Sequence, residues 1–120
     1  MRFALLCYSD GSIREDKQLE DAVLAKHHAT NARLREAGQL GPNLRLVPPA
    51  AAMTVRAGPE PMMLDGPFAE TKEVLLGLWV FDAASLDEAI GIAGEFASHM
   101  PDGSLELRPV MEYDPGVGLG

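Results

Sequence analysis

The chain has 120 residues and a mass of 12.9 kDa, which is the size of one domain. Hydrophobic residues make up 47% and charged residues 23%, values that exclude a disordered or collagen-like chain. The net charge of −8 disfavours binding to phosphate backbones and to anionic membranes. We therefore expect a single domain over residues 1–120 that has neither a nucleic-acid partner nor a membrane partner.

Three further features of the composition bear on the compartment. The chain has one cysteine, which excludes an internal disulfide framework and a cysteine-based zinc site. No basic-then-apolar leader begins it, and its longest strongly apolar run, residues 74–81, is too short to span a bilayer. We expect a cytoplasmic protein, with the acidic excess of residues 61–120 acting as a solubilising surface.

The first half of the chain predicts a strand and a long helix. Residues 2–8 are apolar on both faces of an extended segment, so we expect a strand that is covered on both sides. A helix is predicted from Asp16 to Ala37, with Gly38 ending it. Its predicted apolar stripe consists of Leu19, Val23, Thr30, Leu34 and Ala37. His27 lies at the edge of this stripe, and His28 points away from it.

The second half predicts short strands around one more helix. Residues 44–47, 52–57 and 61–64 favour short strands, and residues 74–81 favour a central strand that is buried on both faces. Ser85 and Glu88 form a capping box for the second helix. Its predicted stripe is Leu86, Ala89, Ile90, Ala93, Phe96, Ala97 and Met100. A last strand is predicted over residues 104–112, followed by a flexible tail at residues 114–120.

This order of elements predicts an α+β protein with a ferredoxin-like plan and an inserted β-hairpin. Two helices can cover only one face of such a sheet, yet two of the strands are apolar on both faces. An identical subunit is the simplest cover for the second face. We therefore expect a homodimer whose sheets pack face to face.

A ten-residue segment gives the chain a family resemblance. Leu64 to Glu73, with the run Asp65-Gly66-Pro67-Phe68, resembles the signature of the DGPF proteins, a branch of the YCII-related superfamily. Residues 77–81, 85–89 and 106–110 resemble the family's central strand, second-helix start and closing strand. The resemblance implies a dimeric α/β barrel of ferredoxin-like subunits. It also implies a link to transcriptional signalling, because some members are associated with sigma-factor genes or domains.

The same resemblance suggests a catalytic pair. One relative in the wider superfamily is a dehydrochlorinase of a chlorinated hydroxyhydroquinone, with a His–Asp pair proposed in its cleft. His27 precedes Gly38 by the interval of the histidine in YCII-type members. The superfamily's aspartate usually lies in an Asp-Pro after the second helix, where this chain has Met100-Pro101. Asp65 of the signature is the candidate substitute.

Each of these two candidates has a functional and a structural interpretation. His27 can exchange a proton near neutral pH and would act as general base or acid, with Asp65 orienting it or sharing the proton. The structural alternatives are a helix-border histidine that packs against its neighbours and an aspartate that bonds its own turn. His28 and His99 fall on polar helix faces, where we expect them to be solvated. Cys7 should lie within the sheet packing and is not expected to be a nucleophile.

Four other residues are candidates for substrate binding. Lys72 and Arg108 would hold an anionic or phenolate substrate, with Glu70 and Tyr8 as further contacts. The structural alternatives are a solvated start of the strand for Lys72, a structural ion-pair residue for Arg108, and a core aromatic for Tyr8.

The chain contains no GxGxxG, P-loop or HExxH motif, so we predict no cofactor and no metal. A His27–Asp65 metal site completed by Glu70 is the conceivable alternative. The leading functional hypothesis is an enzyme that acts by His/Asp acid–base chemistry on a small phenolic or enolisable compound, in a cleft between the sheet and the first helix. The alternatives are a non-catalytic metabolite-binding or regulatory module and a structural dimer without a ligand.

Overall fold

A computed structural model describes all 120 residues of the chain. It contains six strands, two helices and two short 3-10 turns at Ser12–Glu15 and Pro49–Ala51. The strands and helices, in chain order, are β1 Arg2–Ser9, α1 Lys17–Glu36, β2 Leu40–Arg45, β3 Met53–Arg56, β4 Met62–Asp65, β5 Val74–Asp82, α2 Leu86–Ser98 and β6 Ser104–Pro109. Neither helix is long and apolar enough to cross a membrane.

Four of the strands form one antiparallel sheet in the order β2-β5-β1-β6. β3 and β4 pair only with each other, as a hairpin inserted between β2 and β5. With the hairpin set aside, the order and directions are those of the ferredoxin-like α+β fold. The predicted plan and its inserted hairpin are therefore confirmed, and the single chain forms an open sheet.

Side-chain caps start both helices where the sequence predicts them. The Asp16 carboxylate accepts a hydrogen bond from the Leu19 backbone N–H at 3.1 Å, and the Ser85 hydroxyl accepts one from the Glu88 N–H at 3.1 Å. α1 ends before Gly38, whose φ of 73° lies in the left-handed region that glycine tolerates. The caps thus fix where each helix begins to cross the sheet.

The core lies between the helices and one face of the sheet, where Phe3, Leu5 and Phe81 are fully buried. The predicted stripe of α2 is wrong in one respect. Ile92 is 7% exposed and belongs to the core, whereas Ile90 is 53% exposed and Leu86 is 50% exposed. Both stripes are apolar, so periodicity alone could not decide which of them meets the sheet.

The buried face of α1 confirms Val23, Thr30 and Leu34 of the predicted stripe but differs from it at Leu19 and Ala37, which are exposed. Its buried residues are Val23, His27, Thr30, Asn31 and Leu34, while Leu19 is 38% exposed. His27 therefore lies inside the buried stripe rather than at its edge. The helix directs two polar side chains, those of His27 and Asn31, toward the sheet.

β2 begins at Leu40, four residues before the predicted strand, and includes Gly41 and Pro42. Proline is tolerated here because β2 is an edge strand of the sheet. A Cβ at Gly41 would lie 2.7 Å from the Val80 carbonyl oxygen, so glycine permits the close approach of β5. Gly41 and Pro42, which indicated a loop in the sequence, therefore belong to an irregular edge strand.

The inserted hairpin exposes apolar side chains. Met53, Val55, Met62 and Met63 are each more than half exposed. The opposite face of the main sheet is also only partly covered, with Ala4, Leu6, Leu78 and Val80 half-buried. This half-buried face of the main sheet lies opposite the helices.

Candidate small-molecule site

A cavity of about 300 Å³ opens between α1 and the β2–β5 side of the sheet. This volume is at the lower end of the range of small-molecule sites, roughly 300–1,000 Å³. Apolar side chains, among them Val23, Leu24 and Leu76, form much of its wall. His27, Asn31 and Trp79 line it as well.

His27 is paired with a second histidine. Its Nδ1 lies 2.9 Å from Nδ1 of His99, which caps the C-terminus of α2. The His27 ring also makes edge contacts with Trp79 at 5.1 Å and Phe96 at 5.5 Å between ring centroids. The expectation that His99 is solvated is therefore wrong, because the end of α2 turns this half-buried ring toward α1. His28 is exposed, as expected.

Burial keeps this pair neutral. It lowers the pKa of His27 to about 4, and positive charge on His99, His28 and Arg45 acts in the same direction. Burial also lowers the pKa of His99, with the Glu95 charge opposing that change. Both imidazoles are therefore neutral at neutral pH, and one Nδ1 donates to the other.

The second ring nitrogen of His27, Nε2, has no hydrogen-bond partner in the chain. Every fully buried side-chain nitrogen or oxygen in the chain has a hydrogen-bond partner. Since Nε2 has none, it is not fully buried and is partly accessible from the surface. The His27 ring lines the cavity. One nitrogen of His27 is held by His99 while the other is free.

Trp79 and Asn31 form a buried polar contact in the cavity wall. The indole N–H of Trp79 donates to Oδ1 of Asn31 at 3.0 Å, and the indole stacks on Phe96 at 4.2 Å between centroids. Sequence reasoning missed Asn31. The available signal was its spacing, because Val23, His27 and Asn31 recur every four residues along one face of α1.

A β-bulge and a tight turn bring Arg14 to the cavity. Cys7 pairs with Gly77 while Tyr8 pairs with Leu75, so Leu76 has no partner on β1. The 3-10 turn at residues 12–15 then allows Arg14 Nη2 to donate to the Leu76 carbonyl at 3.3 Å. Gly11, with φ of 86°, precedes this turn. Sequence reasoning missed Arg14, since neither the bulge nor the turn is visible in the hydrophobic pattern.

A second arginine of the cavity is paired with an acid. Arg45 of β2 contacts the Glu20 carboxylate of α1 at 3.1 Å, and both residues line the cavity. Cys7 also lines it, but burial raises the pKa of its thiol to about 11, with the Arg14 charge opposing the rise. The thiol contacts the Met100 sulfur at 3.4 Å. At neutral pH, Cys7 is therefore a protonated and unreactive thiol, as expected from a residue that was not predicted to be a nucleophile.

The predicted partner of His27 lies elsewhere in the chain. Asp65 is exposed at the end of β4, where it pairs with Met53 across the hairpin, and it does not line the cavity. Gly66 after it has φ of 89° and donates its N–H to the Ala52 carbonyl at 2.8 Å. This part of the signature therefore extends the strand pairing at the open end of the hairpin, away from its turn at residues 57–61. Within the chain, His27 bonds to His99 and not to Asp65.

The four predicted substrate-binding residues also lie outside the cavity. Glu70 and Lys72 are exposed in the segment between β4 and β5. Tyr8 and Arg108 point to the sheet face opposite the helices, and Arg108 pairs with Glu106 at 3.1 Å. The ion pair is the structural alternative that the sequence offered for Arg108. Of the six predicted site residues, only His27 lines the cavity.

The alternative metal site is not assembled within the chain. No group of three or more His, Cys, Asp or Glu side chains is arranged to hold a metal ion. His27 lies in the cavity, whereas Asp65 and Glu70 are exposed outside it.

The fold and the site together define a ferredoxin-like α+β domain with a cavity lined by His27, whose ring pairs with the half-buried His99. Residues 1–114 match the family described as YCII-related domain, and the chain belongs to that family. It is also 45% identical over 120 residues to a protein of Rhizobium meliloti (strain 1021), with 97% of each chain covered. That relative is itself described as uncharacterised.

Proposed function

We propose that this YCII-related protein is a small-molecule enzyme that moves a proton on a planar organic compound with His27. The observation that carries the proposal is a neutral imidazole in a mostly apolar cavity, with Nδ1 held 2.9 Å from Nδ1 of His99. A histidine with one nitrogen oriented and the other free is the arrangement that a general base requires. His27 keeps the role expected from the sequence, and His99 takes the place of Asp65 as its partner.

The proposed step is a tautomerisation. For Nε2 of His27 to accept a proton, Nδ1 must carry the ring's own proton and donate it in a hydrogen bond to His99. A C–H bond beside a carbonyl then breaks, its proton moves to Nε2, and its electron pair forms an enolate. Return of the proton to oxygen or carbon restores neutral His27. His99 fixes the tautomer and accepts the hydrogen bond from the transient imidazolium.

The environment of His27 limits the substrate. With its pKa lowered to about 4 by burial, His27 is fully available as a base at neutral pH but is a weak one. The C–H bond must therefore be strongly acidified, as in an enolisable keto acid or the keto form of a phenol. These compounds agree with the phenolic or enolisable class expected from the sequence.

Deuterium uptake from D₂O by the methylene group of phenylpyruvate tests the step, with proton NMR as the readout. We expect the protein to accelerate uptake and His27→Gln to return it to the buffer rate. Gln18→Ala alters an exposed α1 side chain outside the cavity and should keep the acceleration. Acceleration that survives in His27→Gln, or none in the wild type, contradicts the proposal.

The second candidate is a non-catalytic metabolite-binding or regulatory module. It is favoured by the absence of a carboxylate hydrogen-bonded to His27, since a neutral histidine partner stabilises an imidazolium less than an acid does. The sigma-factor association of some DGPF-type proteins suggests a role in transcriptional signalling in the cytoplasm. Saturable binding of phenylpyruvate without accelerated exchange would favour this candidate.

We also propose that the chain is a DGPF-type homodimer in which the open sheet faces form a dimeric α/β barrel. The run Asp65-Gly66-Pro67-Phe68 supports the subtype. The half-buried apolar residues Leu6 and Leu78 support the interface, because a second sheet would bury them further. Light scattering should give twice 12.9 kDa, and Leu78→Lys should give a monomer. A monomeric wild type contradicts the dimer.

A further inference from the structure

Arg14 lines the cavity without an acidic partner in the chain. Its hydrogen bond is the one from Nη2 to the Leu76 carbonyl at 3.3 Å. A guanidinium carries five N–H donors, so most of those on Arg14 have no partner in the protein. The side chain is only half-exposed, which makes an unused charge there costly and a bound anion favourable.

The charge of the cavity is opposite to that of the whole molecule. The chain carries a net charge of −8, yet the cavity is lined by Arg14 and Arg45 against the single acid Glu20. Since Glu20 already contacts Arg45 at 3.1 Å, the charge of Arg14 is left over. That charge extends to the cavity wall, where it opposes the rise of the Cys7 pKa that burial causes.

The rest of the cavity is suited to a flat apolar body. Trp79 lines it with its indole held in place by Asn31, and Val23, Leu24 and Leu76 add aliphatic surface. Aromatic and aliphatic walls with a few fixed polar groups are typical of small-molecule sites. Such walls also exclude water, which strengthens the attraction between the guanidinium and an anion.

We infer that the cavity selects a planar, unsaturated carboxylate, with Arg14 binding the carboxylate and the apolar wall around Trp79 contacting the ring. The planar fork of arginine matches a carboxylate through two parallel hydrogen bonds. Phosphate presents a similar edge, but its higher charge calls for more donors than Arg14 alone, and Arg45 is occupied by Glu20. The inference deepens the proposed function by naming the substrate class, and it rests on the cavity being the substrate site.

Two matched ligand pairs test this selection. Phenylpyruvate and phenylacetone differ by a carboxylate in place of a methyl group, and benzoate and benzamide differ by charge. Trp79 is the one tryptophan of the chain, so its indole N–H resonance reports binding at this wall. We expect each carboxylate to shift this resonance saturably and to bind at least about tenfold more tightly than its neutral counterpart, as for hydrogen bonds to a charged group.

Arg14→Met should abolish this preference, leaving the two members of each pair with similar affinity. Arg35→Met removes the same charge from an exposed site outside the cavity, so it should keep the preference. Arg14→Lys keeps a charge without the planar fork, and we expect an intermediate preference. This second variant also preserves the test if Arg14→Met fails to fold.

The inference is overturned if the carboxylates bind no better than their neutral counterparts, or if the preference survives in both Arg14 variants. Tighter binding of phenyl phosphate than of benzoate would also overturn it in favour of a phosphate site. Carboxylate-selective binding without deuterium exchange leaves the inference standing and removes the catalytic proposal. Deuterium exchange that depends on His27 but not on Arg14 would support the catalytic proposal and remove the inference about Arg14.

Discussion

Nδ1 of His27 lies 2.9 Å from Nδ1 of His99, although 72 positions separate the two residues in the chain. α1 supplies the first ring and the C-cap of α2 supplies the second, so packing of both helices on one sheet face creates the pair. Burial lowers the pKa of both rings, and a neutral pair results. The proposed base therefore exists only in the folded chain.

The histidine pair makes stability depend on pH. His27 has an ordinary pKa of about 6.5 in the unfolded chain and a pKa lowered to about 4 by burial in the folded protein. Between these values the unfolded chain binds more protons, so the free energy of unfolding falls as the pH drops from about 6.5 to about 4. We expect His27 to contribute up to about 3 kcal/mol to this loss.

Urea unfolding at a series of pH values measures this effect. His27→Gln should flatten the curve in that window, while Gln18→Ala at an exposed position of α1 should keep the wild-type slope. Equal slopes in wild type and His27→Gln would show that His27 is not desolvated as described.

Asn31→Ala should destabilise the protein by about 1–3 kcal/mol, because it leaves the buried Trp79 indole N–H without its 3.0 Å acceptor. Asn43→Ala is the matched control, since Asn43 is exposed and bonds only to the Gly41 carbonyl nearby. Its effect should stay within about 0.5 kcal/mol. Urea denaturation provides both values, and similar losses in the two variants would contradict a structural role for the buried contact.

Gly77→Ala should disrupt the cavity edge. A Cβ at this position would collide with the Leu44 carbonyl of β2, so β2 must move away from β5. We expect a loss of at least about 2 kcal/mol in thermal unfolding. Gly91→Ala in α2 has open space around the new methyl group and should instead stabilise by about 0.5–1 kcal/mol. A neutral Gly77→Ala would contradict the described β2–β5 pairing.

The two isoleucines of α2 distinguish the observed helix face from the predicted one. Ile92→Ala removes a core side chain and should cost about 2–5 kcal/mol in urea unfolding. Ile90→Ala removes an exposed side chain, and its cost should stay near 0.5 kcal/mol. A larger loss of stability in Ile90→Ala than in Ile92→Ala would contradict the observed face and favour the stripe predicted from the sequence.

This contrast shows how far the sequence predicts the fold. Capping residues such as Ser85 and the short apolar runs of β1 and β5 are local signals, and they predict the elements and their order. The rotation of α2 depends on the sheet that it meets, which no local pattern encodes. β2 was predicted to begin too late because Gly41 and Pro42 signal a loop, whereas an edge strand tolerates them.

The site was less predictable than the fold. His27 was found because its place in the helix resembles the family pattern, but its partner His99 is on a distant helix end. Arg14 reaches the cavity through the bulge at Leu76, and a bulge leaves no periodic signal in the sequence. The pairing of His27 with Asp65 was inferred from a signature whose Asp65-Gly66 residues extend the open end of the hairpin in this chain.

The central claim is that neutral His27 is paired with His99, and NMR titration of the histidine ring nitrogens tests it most directly. The wild type, His99→Gln and Asp65→Asn would be compared. The account predicts a His27 pKa near 4 in the wild type, only a small rise in His99→Gln because burial is the largest cause of the lowered value, and no change in Asp65→Asn. A wild-type His27 that titrates near 6.5, or one that responds to Asp65→Asn and not to His99→Gln, would contradict it.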